Sequence, residues 1–153
     1  MTTEDREDME RELTLSSGIA AFEAKHFVKA YQLLDPLAKA GHPEALFRLA
    51  IMCQNGLGMV PDAQRAAASM RQAAEQGHPL AQHGLGFMYL QGECVAKDPA
   101  EAARWFRMAA DQGLAGSMTT LALLYQAGNG VPQDLDEAKR LYRQAGFDPS
   151  ELM

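Results

Sequence analysis

The stretch HPLAQHGLGFMYLQGECVAKDPAEAARWFRMAADQG, running from His78 to Gly113, decides the fold. Shifted 36 residues back it falls on His42–Gly77, and shifted 36 forward it falls on Leu114–Pro149. Leu49, Leu85 and Leu121 then coincide, as do Gly56, Gly92 and Gly128. So do Asp62, Asp98 and Asp134, then Ala66, Ala102 and Ala138, then Arg71, Arg107 and Arg143. A fixed period of this size marks a repeat array in which each unit buries its apolar face against its neighbours. The reading is a helical solenoid, which points to a binding scaffold rather than an enzyme.

Each unit has the same grammar. A first helix is expected after Gly-His-Pro (Gly41–Pro43, Gly77–Pro79), because proline at the first helical position gives up an N–H that has no partner there. It is expected to end at Gly56, Gly92 or Gly128 in a left-handed cap. After a loop, Asp62, Asp98 or Asp134 caps a second helix. Glu101 and Glu137, three residues on, complete capping-box-like pairs. That helix closes at Gly77, Gly113 and near Gly146. The segment before Gly41 is a shorter version, lacking a four-residue loop extension. Its helices read Asp8 to Ala24 and Val28 to Lys39, turning at Lys25–Phe27, with Pro36 kinking the second or removing one backbone bond. The organisation is a single repeat domain over 1–153: an N-terminal capping hairpin at 5–41, repeats at 42–77, 78–113 and 114–149, and a tail at 150–153.

The run Leu85-Gly86, Met88-Tyr89, Gly92, Val95, Asp98, Ala102, Trp105-Phe106, Ala109-Ala110, Gln112-Gly113 resembles the Sel1-like repeat, a relative of the tetratricopeptide repeat. The resemblance covers about residues 15 to 147. The second unit departs from the pattern at Cys53 and Ser69, and the third has Cys94 where the loop's second glycine belongs. What the resemblance implies is an all-α, α/α superhelical solenoid acting as an adaptor in protein complexes, with no shared catalytic residue.

Composition is consistent with helix throughout: alanine and methionine are abundant and β-branched residues sparse. No apolar run approaches the roughly 18 residues of a membrane span, so no membrane insertion is expected. The acidic start MTTEDREDMEREL has neither the basic nor the apolar region of a secretory signal, and a cytoplasmic location is the default expectation. Net charge is −6, of which −4 lies in residues 4 to 12. A solvated first turn accounts for that cluster, with contact to a basic partner as the alternative. Nucleic-acid binding is disfavoured, since it needs a basic footprint.

In the third unit Ala81, Leu85 and Tyr89 form one helical face that packs the hairpin, and Gly86 permits close helix approach. A second stripe of His83, Phe87 and Leu90 lies roughly 200° around the helix. Its equivalents are Leu15, Ile19 and Phe22 in the first unit, Phe47, Ile51 and Gln54 in the second, and Thr119, Leu123 and Gln126 in the fourth. The tetratricopeptide resemblance implies that first helices line a concave side, which makes these stripes one apolar groove for a partner peptide or helix. The alternative is that curvature buries them as core. Phe47→Asp and Phe87→Asp are expected to abolish binding with the fold intact if the groove reading holds. On the second helices, Arg71, Arg107 and Arg143, joined by Arg104 and Arg140, read as a solvated ladder.

Catalytic chemistry is missing from the sequence. His26, His42, His78 and His83 have no metal-site spacing, and Gly84-Leu85-Gly86 lacks the third glycine of a dinucleotide loop. Cys53 and Cys94 make no disulfide framework. No cofactor and no metal are expected. Two functions follow: an adaptor for a protein or peptide partner, or a self-associating module, a monomer or weak homodimer that joins through Ala138, Leu141, Tyr142 and Ala145 on the last helix.

Overall fold

The computed structural model describes all 153 residues, as eight α-helices and one turn of 3-10 helix at Pro149–Glu151, with no strands. They are α1 (Thr3–Glu23), α2 (Phe27–Lys39), α3 (Pro43–Asn55), α4 (Ala63–Glu75), α5 (Pro79–Gln91), α6 (Pro99–Asp111), α7 (Ala115–Ala127) and α8 (Leu135–Gln144). The chain divides into two compact units, Met1–Gln76 with α1 to α4 and Gly77–Met153 with α5 to α8.

The predicted punctuation is present. Pro43 and Pro79 open α3 and α5, and Gly56, Gly92 and Gly128 close α3, α5 and α7 at φ of 67°, 70° and 69°. Asp62, Asp98 and Asp134 each accept from the backbone N–H three residues on. Gly41, Gly77, Gly113 and Gly146 all have positive φ just past a second helix. The Gly113 N–H reaches Ala110 O and the Leu114 N–H reaches Ala109 O, the two reverse bonds of a Schellman cap. Lys25 takes the equivalent place after α1 at φ 63°, despite its side chain.

Two details differ from expectation, the start of α1 and the pairing of Glu101 and Glu137, while Pro36 and Cys94 are accommodated without changing the helix or the loop. α1 starts at Thr3 rather than Asp8, because Thr2 caps it and Asp5 returns the bond in a true capping box. Glu101 and Glu137 do not close such boxes. The N–H groups of Asp98 and Asp134 already donate to Tyr89 O and Tyr125 O, so the two glutamates turn to arginines instead. Pro36 sits inside a helix that continues to Lys39. Cys94 holds φ 64°, close to the 70° of Gly58 and 77° of Gly130, so the loop keeps its shape without its glycine.

In the hairpins α1–α2 and α5–α6, a glycine on the first helix admits a large residue from the second. A Cβ at Gly18 would stand 2.6 Å from Leu34 Cδ2, and one at Gly86 would stand 2.8 Å from Phe106 Cε1. In the first unit the core holds Leu34, Leu46, Leu49, Met52 and Met70. In the second, Phe106, Leu121, Leu124, Leu141 and Tyr142 form the centre, with Phe87, Tyr89, Leu90, Tyr125 and Val131 packed against it.

A polar bond closes the base of a single hairpin: Gln76 donates to Gly41 O, and Gln112, 36 residues later, donates to Gly77 O, each at 2.9 Å. Successive hairpins are tied by polar clasps. In the first unit Arg65 pairs with Asp35 and donates to Tyr31 Oη at 2.9 Å. In the second, Arg107 pairs with Glu137 at 2.9 Å and donates to Tyr125 Oη at 3.0 Å. One shift of 36 carries Asp35 to Arg71 and then to Arg107, and Arg65 to Glu101 and then to Glu137. The second unit therefore holds the first unit's ion pair with its charges exchanged.

Candidate partner-binding faces

The twelve stripe residues lie on the first helices, and none is fully buried. In the first unit, Leu15, Ile19 and Phe22 on α1 and Phe47, Ile51 and Gln54 on α3 are all half-buried. The Phe22 ring meets Phe27 edge-on, with centroids 5.6 Å apart, and the Arg48 guanidinium stands 5.0 Å above it. Arg48 is held by Glu44 at 2.9 Å and by Glu23 at 3.5 Å, so an ion-paired rim borders this apolar face.

In the second unit, His83, Phe87 and Leu90 on α5 are half-buried, as are Thr119 and Gln126 on α7, while Leu123 is 56% exposed. His83 Nδ1 lies 2.7 Å from Ser117 Oγ, and the ring stacks edge-on with Phe87 at 4.9 Å and Phe106 at 5.5 Å. Burial among these groups pushes the His83 pKa down, which keeps the imidazole neutral near pH 7. Phe87 is itself 5.0 Å from Phe106. It therefore supports the core as well as the surface, and Phe87→Asp cannot leave stability untouched. Gln126 accepts from Tyr142 Oη at 3.0 Å, and Thr119 donates to Gly116 O, so both polar members are partly committed within the chain. Neither α5 nor α7 contains a single Asp, Glu, Lys or Arg.

The second-helix arginines are not a uniform solvated ladder. Arg71 is half-buried and Arg143 exposed, while Arg107 is clasped by Tyr125 and Glu137. Arg104 lies 3.1 Å from Glu101 and over the Trp105 ring at 5.5 Å. The ties of Arg140 and Arg107 hold the Glu137 carboxyl down to about 2, against the opposing effect of burial.

The last helix does not expose the edge expected of it. Ala138, Leu141 and Tyr142 are buried and Ala145 half-buried, because α8 turns that face onto α7 as every second helix does within its hairpin. Its free side carries Leu135 instead, with Phe147, Leu152 and Met153 exposed beyond it.

No group of three or more His, Cys, Asp and Glu side chains is placed to hold a metal ion, and both cysteines are free thiols. His78 caps α5, its Nδ1 accepting from Ala81 N at 3.1 Å. No helix is long and apolar enough to cross a membrane.

Helical hairpins repeated at 36 residues, with recurring caps, define a helical-repeat protein. The Sel1 repeat model matches residues 43–78, 79–114 and 115–146, and the chain belongs to that family. Sel1-like repeat proteins generally mediate protein–protein interactions and are typically non-enzymatic scaffolds. A Sel1 repeat protein from Oxalobacter formigenes superposes with a TM-score of 0.81 at 31% identity, over 86% of this chain and 54% of that one. A protective antigen of uropathogenic Escherichia coli strains, displaying an SLR fold, gives 0.84 at 32% identity over 93% of this chain and 31% of its own. Cysteine rich protein B of Helicobacter pylori shares the fold at 19% identity, with a TM-score of 0.58 over 84% of this chain and 86% of that one. Chitin synthase regulatory factor 3 of Schizosaccharomyces pombe is 37% identical over 60 residues, 39% of this chain. This chain spans only 6% of that regulatory factor and about half of the Oxalobacter chain.

Proposed function

We propose that this chain is an adaptor whose first-helix faces receive an apolar, uncharged segment of a protein partner, in a cytoplasmic setting. The observation that carries the reading is the make-up of α5 and α7. They hold no formal charge, yet they leave Phe87 and Leu90 half-buried and Leu123 exposed. A solvent-facing helix ordinarily carries charged residues on its outer side, and an apolar patch kept free of charge marks an interaction surface. The occupant this suits is a helix or extended segment presenting apolar side chains. On the first unit's own face of α1 and α3, the polar rim Glu23–Arg48–Glu44 would border such a segment.

The test is affinity capture with wild type, Leu123→Asp and Arg104→Glu, each checked for unchanged helical circular dichroism. A partner held by wild type and Arg104→Glu but lost with Leu123→Asp supports the first-helix face. A partner lost with Arg104→Glu and kept with Leu123→Asp moves the site to the second helices.

A further inference from the structure

α1 is 21 residues long, whereas each of α2 to α7 has 13. Every residue from Met1 to Leu13 is exposed. Within it Met9 (45% exposed), Leu13 (62%), Ser16 and Ala20 are all open to solvent, at spacings of four, three and four. That is the spacing of a two-helix coiled-coil seam, and the row lies on the side of α1 away from the buried Gly18 and Ala21. The seam is graded, with large side chains toward the N-terminal end and small ones toward the C-terminal end.

Charge is graded in the same sense. Glu4, Asp5, Glu7, Asp8, Glu10 and Glu12 outnumber Arg6 and Arg11 in the first half of α1, a balance of −4 over residues 4 to 12. At its other end Lys25, His26 and Lys29, with Phe27, Val28 and Gln32, line a shallow depression of about 640 Å³ that contains no acid. Glu23, two residues before it in the chain, lies 3.5 Å from Arg48.

We infer that α1 docks antiparallel against α1 of a second copy of this chain. In that arrangement Met9 faces the partner copy's small Ala20, and Leu13 faces its Ser16, so large meets small along the whole seam. The acidic end of each helix then lies over the lysine-lined depression of the other. A parallel pair would set acid on acid and Leu13 on Leu13. The contact is isologous and closes as a dimer, since each copy offers the same surface. It uses a different side of α1 from Leu15, Ile19 and Phe22, and so leaves the first-helix face free.

Sedimentation of the full chain over a concentration series tests the association, comparing wild type with Met9→Lys/Leu13→Lys. Both side chains are exposed, so circular dichroism should be unchanged. The expected result is a concentration-dependent dimer that the double variant loses. A wild type that stays monomeric at its highest soluble concentration overturns the inference, and so does a dimer that survives in the variant. Orientation is read by cysteine pairing: chain carrying Met9→Cys is mixed with chain carrying Ala20→Cys under mild oxidation, with the parent's native cysteines as background. The antiparallel register puts two copies of position 9 about 16 Å apart at 1.5 Å of rise per residue, beyond the roughly 7 Å limit for a disulfide. Mixed crosslinks should dominate. Self-crosslinking of the Met9→Cys chain as readily as the mixture would contradict the antiparallel arrangement.

Discussion

Gly86→Ala is the substitution whose outcome general helix propensity gets wrong. In an exposed helix, alanine improves on glycine by about 0.5–1 kcal/mol. At position 86 the added carbon would lie 2.8, 2.9 and 3.0 Å from three atoms of the Phe106 ring. Phe106 is fully buried and hemmed by Phe87 at 5.0 Å and His83 at 5.5 Å, so the ring has no open direction in which to yield. Overfilling a packed core costs about 1–3 kcal/mol, and the net expectation is a loss of about 1–2 kcal/mol once the propensity gain is subtracted. Gly116 is the control, since its nearest neighbour would be His83 at an ordinary 3.6 Å, and Gly116→Ala should gain stability. The preceding repeat carries Ala50 and Met70 at the positions of Gly86 and Phe106. In a Phe106→Met background, therefore, Gly86→Ala should cost less. Urea titration followed by circular dichroism measures all four variants, with amide exchange in α5 and α6 locating the change. The reasoning is refuted if Gly86→Ala matches or exceeds the parent, or if its cost is the same in both backgrounds.

Other outcomes follow from the clasps and loops. Glu137 titrates near 2 in the folded chain, against an ordinary value of 4.5. Its stabilising contribution is therefore complete above pH 4.5 and is lost as pH falls from there toward 2; Glu137→Gln should flatten that part of the stability–pH curve. Arg107→Asp, which sets like charges together, should cost about 1–3 kcal/mol. Adding Glu137→Arg should recover much of it by recreating the order of the Asp35–Arg65 pair, with Arg140 nearby limiting the recovery. Cys94→Gly relieves a left-handed backbone at φ 64° and should raise stability by about 0.5–1 kcal/mol in the same titration. His83 prefers the neutral form when folded, so stability should decline as pH drops below about 6.5; its imidazole resonances should titrate below that value, and His83→Gln should remove the effect.

How much could be read from the chain alone depended on the range of the interaction. Helix ends are set by local chemistry, and the recurring Pro, Gly and Asp positions predicted seven of the helices closely. The start of α1 was missed because no apolar period reaches back beyond Met9; its only signal is the short Thr2–Asp5 capping pair. The Arg107 clasp was invisible as a local pattern, since its partners lie 18 and 30 residues away. It was present in the sequence as a charge exchange, but only when second helices are compared in pairs. Phe87 was open between groove and core, because periodicity ranks positions around one helix and says nothing of a ring arriving from the next. The face of α8 was misjudged for a related reason. A terminal helix lacks a following repeat, yet its own hairpin partner α7 already covers Leu141 and Tyr142.

The central claim is that partners meet the first helices, and site-specific photo-crosslinking tests it most directly. A photoreactive residue is placed in turn at Leu123 and Gln54 on the first helices, and at Arg104 and Met108 on the exposed side of α6, within cells expressing the full chain. Adducts to a common protein from positions 123 and 54, and none from 104 and 108, are the expected result. Adducts confined to 104 and 108 would contradict it and assign recognition to the second helices.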